Sequence, residues 1–238
     1  MGREAGYTYE GNELDLFAHA RNWKAYWLAQ IQPYVRGRVL EVGAGKGTNT
    51  GAFVSLPGVE VVTCLEPDAA LAHELQQAHP DVTTHIGTLA DLDDAARFDT
   101  VVYIDVLEHI EDDAGELQRV AQHVAPGGRV VVLSPAHPWL FTPFDAAIGH
   151  VRRYTRSMLY DLSPPGLQWE AGFYLDSVGM VLASAANRLV LRQSAPTLRQ
   201  IALWDRMMVP VSRFVDPLLR KKVGKTVVAV WTAQWAGS

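Results

Sequence analysis

"RVLEVGAGKGT", residues 38–48, decides the fold. Arg38 to Val42 form a short apolar run rich in strand-forming residues, and glycine then recurs at 43, 45 and 47. A buried strand that opens into a glycine loop begins an α/β cofactor-binding unit. Three loop patterns compete. A phosphate-binding P-loop needs G-x-x-x-x-G-K-[S/T], but Leu40 stands at its first glycine and Gly47 at its hydroxyl residue. A dinucleotide fingerprint needs G-x-G-x-x-G, and Thr48 occupies the last position. An acid two residues before G-x-G-x-G matches completely, through Glu41, Gly43, Gly45 and Gly47. A carboxylate at the strand end suits a cationic ligand better than a polyphosphate, and glycines let the backbone approach that ligand closely.

Outward from this loop, strands and helices alternate. Strands are read at 38–43, 59–66, 81–87, 98–105 and 129–134, with helices over 67–79 and 112–124. "PGG" at 126–128 reads as a turn before the fifth strand. Further strands are read at 166–175 and 225–233. This pattern predicts an α/β protein with a doubly wound, mostly parallel, seven-stranded sheet, Rossmann-like and carrying a helical cap. One domain is expected over 1–238, with a helical cap over 1–37, a cofactor-binding core over 38–140, and an acceptor-side cap and final strands over 141–238. Residues 12–34 read as the amphipathic helix of that cap, from Leu16, Phe17, Ala20, Trp23, Trp27, Leu28 and Ile31. In such sheets ligands bind beyond the carboxyl ends of the strands. Glu66 ends the second strand, where a carboxylate suits a ribose diol.

Composition narrows the function classes. A formal charge of −5 gives no electrostatic footprint for nucleic acid. With Cys64 as the single cysteine, an intrachain disulfide and a cysteine-rich zinc site are excluded, and no metal is expected. The first residues lack a signal-peptide core and no apolar run is long enough to span a membrane, so a cytoplasmic location is the expectation.

The ordered pieces "VLEVGAGKG", "CLEPD", "FDTVVYIDVLEHI" and "PGGRVVVLSP" resemble the class I S-adenosylmethionine-dependent methyltransferases over residues 38–140. The "VLEHI" form resembles that family's small-molecule branch, near the ubiquinone-type methyltransferases. The resemblance implies S-adenosylmethionine as cofactor and S-adenosylhomocysteine as its product. It implies that Gly43, Ala44, Gly45 and Gly47 touch the methionine end and ribose, with Glu41 near the methionine amino group. Glu66 would take the ribose hydroxyls, Pro67 would lie against adenine, and Asp105 and Val106 would line the sulfonium. The family's usual Gly-Asp-Ala after the third strand is Gly87-Thr88-Leu89 here, so Thr88, Leu89, backbone groups or the nearby Asp91 would serve adenine.

"HPWLFTPFDAAIGHVRRYT", residues 137–155, follows the fifth strand directly and so lies at the ligand edge. We read it as the acceptor-site wall. His137 and His150 are candidate bases, since imidazole titrates near neutral pH; His109 is a third, with a structural role equally open. Arg152 and Arg153 suit an anionic part of the acceptor, unless Asp145 pairs with one of them; Tyr154 belongs to the same wall. Trp23, Tyr26 and Trp27 on the first helix, with Tyr7 and Tyr9 before it, lid the acceptor or pack on the sheet. The apolar segment 177–219 fits core helices, a lipid-facing surface, an acceptor pocket or a homodimer interface. The expected reaction is O-methylation of a small-molecule acceptor, anionic or a secondary metabolite. N- or C-methylation and a catalytically silent cofactor-binding subunit are the alternatives.

Overall fold

The computed structural model describes residues 17–189 and 196–234. Residues 12–16 of the expected first helix, with Tyr7 and Tyr9, lie outside the described residues. The strands are β1 Gly37–Val42, β2 Val59–Glu66, β3 Thr83–Ile86, β4 Phe98–Ile104, β5 Val124–Pro135, β6 Leu167–Leu175 and β7 Thr226–Ala233. They form one seven-stranded sheet in the order β3-β2-β1-β4-β5-β7-β6. The first five pair in parallel, and β7 runs antiparallel between β5 and β6. The order reverses direction between β1 and β4, which makes the crevice at their carboxyl ends the natural ligand site.

The helices are α1 Arg21–Ile31, α2 Thr50–Val54, α3 Ala69–Ala78, α4 Asp113–His123, α5 Pro143–Ala147 and α6 Arg156–Asp161. They continue with α7 Ser177–Leu189, α8 Leu198–Leu203 and α9 Val209–Leu218, with a π-helical turn, Trp204–Met208, joining the last two. Adjacent strand residues feed opposite faces of the sheet. Val102, Val131 and Val228 pack under Trp27 and Ile31 of α1. Val101, Val132 and Ala229 pack on the other face with Leu117 and Val120 of α4. Burial on both faces is why these strands read as unbroken apolar runs.

Two elements differ from the sequence expectation. The "PGG" turn is a kink inside β5, which runs from Val124 to Pro135. Its register with β4 shifts between Phe98 and Thr100, and Gly127 takes φ +73°, so the glycines absorb a bulge rather than ending the strand. The first helix breaks at Ala20, whose ψ of 67° is not helical, and restarts at Arg21. Its free N–H groups are satisfied from far along the chain. Buried Asp205 accepts from Asn22 N at 3.2 Å and Trp23 N at 2.8 Å. Asp205→Ala removes both acceptors, and a loss of about 1–3 kcal/mol is expected in denaturant unfolding. A change under about 0.5 kcal/mol would mean that water caps α1 instead.

Candidate active site

A cavity of about 290 Å³ opens at the crevice between β1 and β4. Its floor is the glycine loop. Gly43 has φ +64°, and a Cβ there would sit 2.7 Å from Val106 Cγ2. The loops after β1 and β4 therefore meet without room for a side chain, leaving their backbones to face the cavity. Asp105, also at positive φ, and Val106 line it.

Glu66 closes the next side. Its Oε2 accepts from Gly45 N at 2.8 Å and its Oε1 from Asp68 N at 2.9 Å, while Asp68 caps α3. One buried carboxylate thus ties the glycine loop to the start of α3, and each oxygen keeps a second lone pair. Burial raises the Glu66 pKa, and those two backbone N–H groups partly offset the rise. Pro67 lies beside it in the wall.

Glu41 sits behind the loop rather than in the cavity wall. Its carboxylate accepts from Thr50 Oγ1 at 2.7 Å and faces Cys64 Sγ at 3.6 Å. Burial pushes its pKa up to about 7, against the pull of Thr50 and Cys64. A carboxyl group whose folded pKa is raised costs stability as pH climbs from its unfolded value to its folded one. Glu41→Gln is therefore expected to stabilise the ligand-free protein at pH 8, by up to about 3 kcal/mol, and to have little effect near pH 4. Thermal melts at the two pH values measure this; equal shifts would show that Glu41 does not titrate as described.

The remaining cofactor candidates spread out. Ala44 and Gly45 line the cavity, but Gly47 does not. Gly47 lies against α3, where its carbonyl meets His79 Nε2 at 3.0 Å. Thr88 and Leu89 also stay outside the cavity. Thr88 N and Oγ1 both donate to Asp91 Oδ2, forming a local capping box, and Leu89 is buried in the core.

The acceptor side is roofed by α1, by the π-helical turn and by residues 144–153. Trp23 and Trp27 reach down from α1, Trp204 from the π turn, and Phe144 from α5. His150 lies in this wall with its side chain only 7% exposed. Its Nδ1 is 3.0 Å from Asp145 Oδ1, and Arg153 grips the same carboxylate with Nε and Nη2 at 2.9 and 2.8 Å. Burial alone would raise the Asp145 pKa, but bonds from His150, Arg153 and Thr142 hold it well below the usual carboxylate range. Burial opposes charge on His150 as well, yet the Asp145 bond and nearby Glu108 and Asp105 raise its pKa overall.

Below His150 lies Glu108, wholly buried. Its Oε2 accepts from Ser134 Oγ at 2.6 Å, and its Oε1 has no hydrogen-bond partner. Burial raises its pKa, with Asp105 adding to the rise. His109 packs edge-on against His150 at 4.6 Å, and burial lowers its pKa to about 4. Glu108, His109 and His150 each offer a ligand atom within 4.8 Å of the others, close enough to share a cation. The sequence reading expected no such cluster.

Three acceptor-side expectations need correction. His137 does not line the cavity. Its φ of +65° turns the ring onto Tyr174, stacked at 4.9 Å, and its buried Nε2 meets no partner. Arg152 pairs with Asp113 and donates to Glu111 O, and Tyr154 is buried with its hydroxyl on Asp113. The two arginines therefore hold the wall together through Asp113 and Asp145. The cavity also contains two lysines that sequence reading missed. Lys24 Nζ donates to Thr48 O at 3.0 Å across the loop. Lys225 Nζ lies 3.4 Å from Asp176 Oδ2 and 3.8 Å from the centre of the Trp204 ring. Lys24 belongs to a helix whose apolar face dominated the reading, and Lys225 precedes a strand with no motif around it.

A doubly wound sheet with a glycine loop after β1 and a carboxylate at the end of β2 is an arrangement that binds nucleoside cofactors. The profile of a methyltransferase domain matches residues 16–177, and the chain belongs to that family. The matched domain is that of the class I S-adenosylmethionine-dependent methyltransferases. The chain is 33% identical over 111 residues to a ubiquinone biosynthesis O-methyltransferase of Paracidovorax citrulli, covering 44% of this chain and 46% of that protein. Its identity to the Bradyrhizobium sp. protein of the same name is 31% over 106 residues, covering 43% and 41%. It thus spans less than half the length of the curated relatives it matches. An S-adenosylmethionine-dependent methyltransferase from Clostridium acetobutylicum shares the fold, with a TM-score of 0.55 at 8% identity over 91% of this chain and 92% of that one. So does the N-methyltransferase NodS from Bradyrhizobium japonicum in complex with S-adenosyl-L-homocysteine, with a TM-score of 0.53 at 14% identity over 90% and 85%.

Proposed function

We propose that this chain O-methylates a small, largely apolar molecule through one hydroxyl group. The observation that carries the reading is that the His150–Asp145 pair and Glu66 line one cavity. Bound S-adenosylmethionine supplies an already activated methyl group, so the protein has mainly to position the acceptor and remove its proton. Glu66, Pro67 and the loop from Gly43 to Gly45 would hold the nucleoside and methionine parts, with Asp105 and Val106 near the sulfonium. Ionised Asp145 accepts a hydrogen bond from Nδ1–H of neutral His150, which leaves Nε2, 3.8 Å from Glu108 Oε1, as the lone pair that would accept the acceptor's hydroxyl proton. The indoles of Trp23, Trp27 and Trp204 favour a flat, apolar acceptor body and keep water from the reacting atoms. An anionic substituent, if the acceptor carries one, would meet Lys225 rather than Arg152 or Arg153.

A second reading has support from Glu108 Oε1, which accepts no hydrogen bond and lies 3.8 Å from His150 Nε2. A divalent cation shared by Glu108, His109 and His150 would acidify the acceptor hydroxyl in place of a base. The experiment is an acceptor screen with S-adenosylmethionine labelled in its methyl group, using matched phenols, catechols, amines and carboxylates, with and without EDTA. Transfer to phenolic oxygen that survives EDTA is expected. Transfer only to amines would overturn the O-methylation reading, and loss of turnover in EDTA would replace the base by the cation. Cofactor binding without transfer to any acceptor would favour the silent-subunit alternative.

A further inference from the structure

The helical run α8, π turn and α9 has two unlike faces. Ile201, Trp204, Val209, Ser212 and Asp216 are buried against the rest of the domain. The opposite face presents Leu203, Met207, Val211, Phe214 and Leu218 at spacings of three and four, so they form one stripe along the run. These side chains are open to solvent: Met207 is 63%, Phe214 78% and Leu218 82% exposed. Single exposed apolar residues are ordinary, but a continuous stripe of this size marks an interaction surface.

The charge around the stripe says what covers it. Arg199, Arg206, Arg213 and Arg220 follow one another every seven residues, all exposed, and Lys221 and Lys222 close the run. Asp205 and Asp216 are the acids between residues 198 and 222, and both are buried and engaged internally. Asp205 caps α1, and Asp216 takes Tyr26 OH together with Asp176 N and Ser177 N. The exposed charge of this face is therefore wholly positive on a chain with a formal charge of −5. A second copy of the same face would set arginine against arginine with no acid to answer it. A helix with apolar residues on the outer face and basic residues beside them is the pattern of an interfacial helix on anionic lipid.

We infer that the outer face of residues 198–222 docks the protein on an anionic membrane surface, with Phe214 and Leu218 entering the headgroup boundary and the arginines meeting lipid phosphates. This is surface docking, since no helix among the described residues is long and apolar enough to cross a membrane. Trp204 on the inner face of the same run lines the active-site cavity, so docking would set that cavity close to the bilayer.

The test is co-sedimentation of the full chain with vesicles of phosphatidylcholine alone and of phosphatidylcholine mixed with phosphatidylglycerol. Binding to the mixed vesicles alone is expected, with release by high salt. Phe214→Glu with Leu218→Glu should lower partitioning at least about tenfold, and Arg206→Gln with Arg213→Gln about 30-fold. Circular dichroism and S-adenosylhomocysteine affinity should match wild type in both variants. If the glutamate variant fails to fold, Phe214→Ala carries the same test with a smaller loss. Absence of binding to the mixed vesicles, or binding indifferent to these substitutions, would overturn the inference. So would a dimer in sedimentation velocity that Phe214→Ala dissociates, because a second copy would then cover the stripe.

Discussion

Glu66→Ala is expected to weaken binding of S-adenosylmethionine and S-adenosylhomocysteine alike, by roughly 100-fold or more. The proposed contact is a pair of hydrogen bonds from the ribose hydroxyls to an ionised carboxylate, and charged hydrogen bonds each contribute about 1.5–3 kcal/mol. The substitution also removes the acceptor shared by Gly45 N and Asp68 N. The glycine loop and the first turn of α3 would lose their common anchor, which adds a cost before any ligand arrives. Glu66→Gln separates the two effects. It keeps an acceptor for one backbone N–H and loses the charge, so its affinity should fall between wild type and alanine. Calorimetry reads all three, and an alanine variant binding within about threefold of wild type would place the ribose elsewhere.

His150→Gln should leave cofactor affinity unchanged and lower the transfer rate by about 10²–10⁴. Glutamine keeps a donor for Asp145, so the clasp between Asp145 and Arg153 is expected to survive. What it lacks is a lone pair able to take up a proton near neutral pH. Because Asp145 and the nearby acids raise the His150 pKa, the rate should fall with acid at a pH above the roughly 6.5 of free imidazole. In the variant this acid limb should vanish. A variant whose KM rises while kcat holds would make His150 a binding group only. Since Glu108 and His109 adjoin His150, the comparison is made in EDTA, where a cation cannot stand in for the base.

The fold was legible because its signals are local. β2 spans Val59–Glu66, the bounds read from its run of valines, Thr63, Cys64 and Leu65, and Gly43 to Gly47 can be read as a loop without knowing their neighbours. The cofactor-side candidates Glu66 and Asp105 were read the same way, since Glu66 ends β2 and Asp105 follows β4. What escaped reading depends on distant parts of the chain. The first helix restarts at Arg21 because Asp205, far along the chain, satisfies its amides. The place of β7 between β5 and β6 rests on long-range pairing. On the acceptor side, His137 and His150 look alike in sequence, yet one backbone angle sends the first onto Tyr174 while Asp145 holds the second in the cavity. Arg152 looked free because its carboxylate, Asp113, lies on another element, whereas pairing of an arginine with Asp145 was open in the sequence and falls to Arg153.

The most direct test of the account is calorimetric titration of the wild-type chain with S-adenosylhomocysteine, with NADH and ATP as controls. The account predicts one site per chain with micromolar affinity for S-adenosylhomocysteine and no measurable heat with the other two. Silence toward S-adenosylhomocysteine, or a preference for either control, would contradict the assignment of the cavity between β1 and β4.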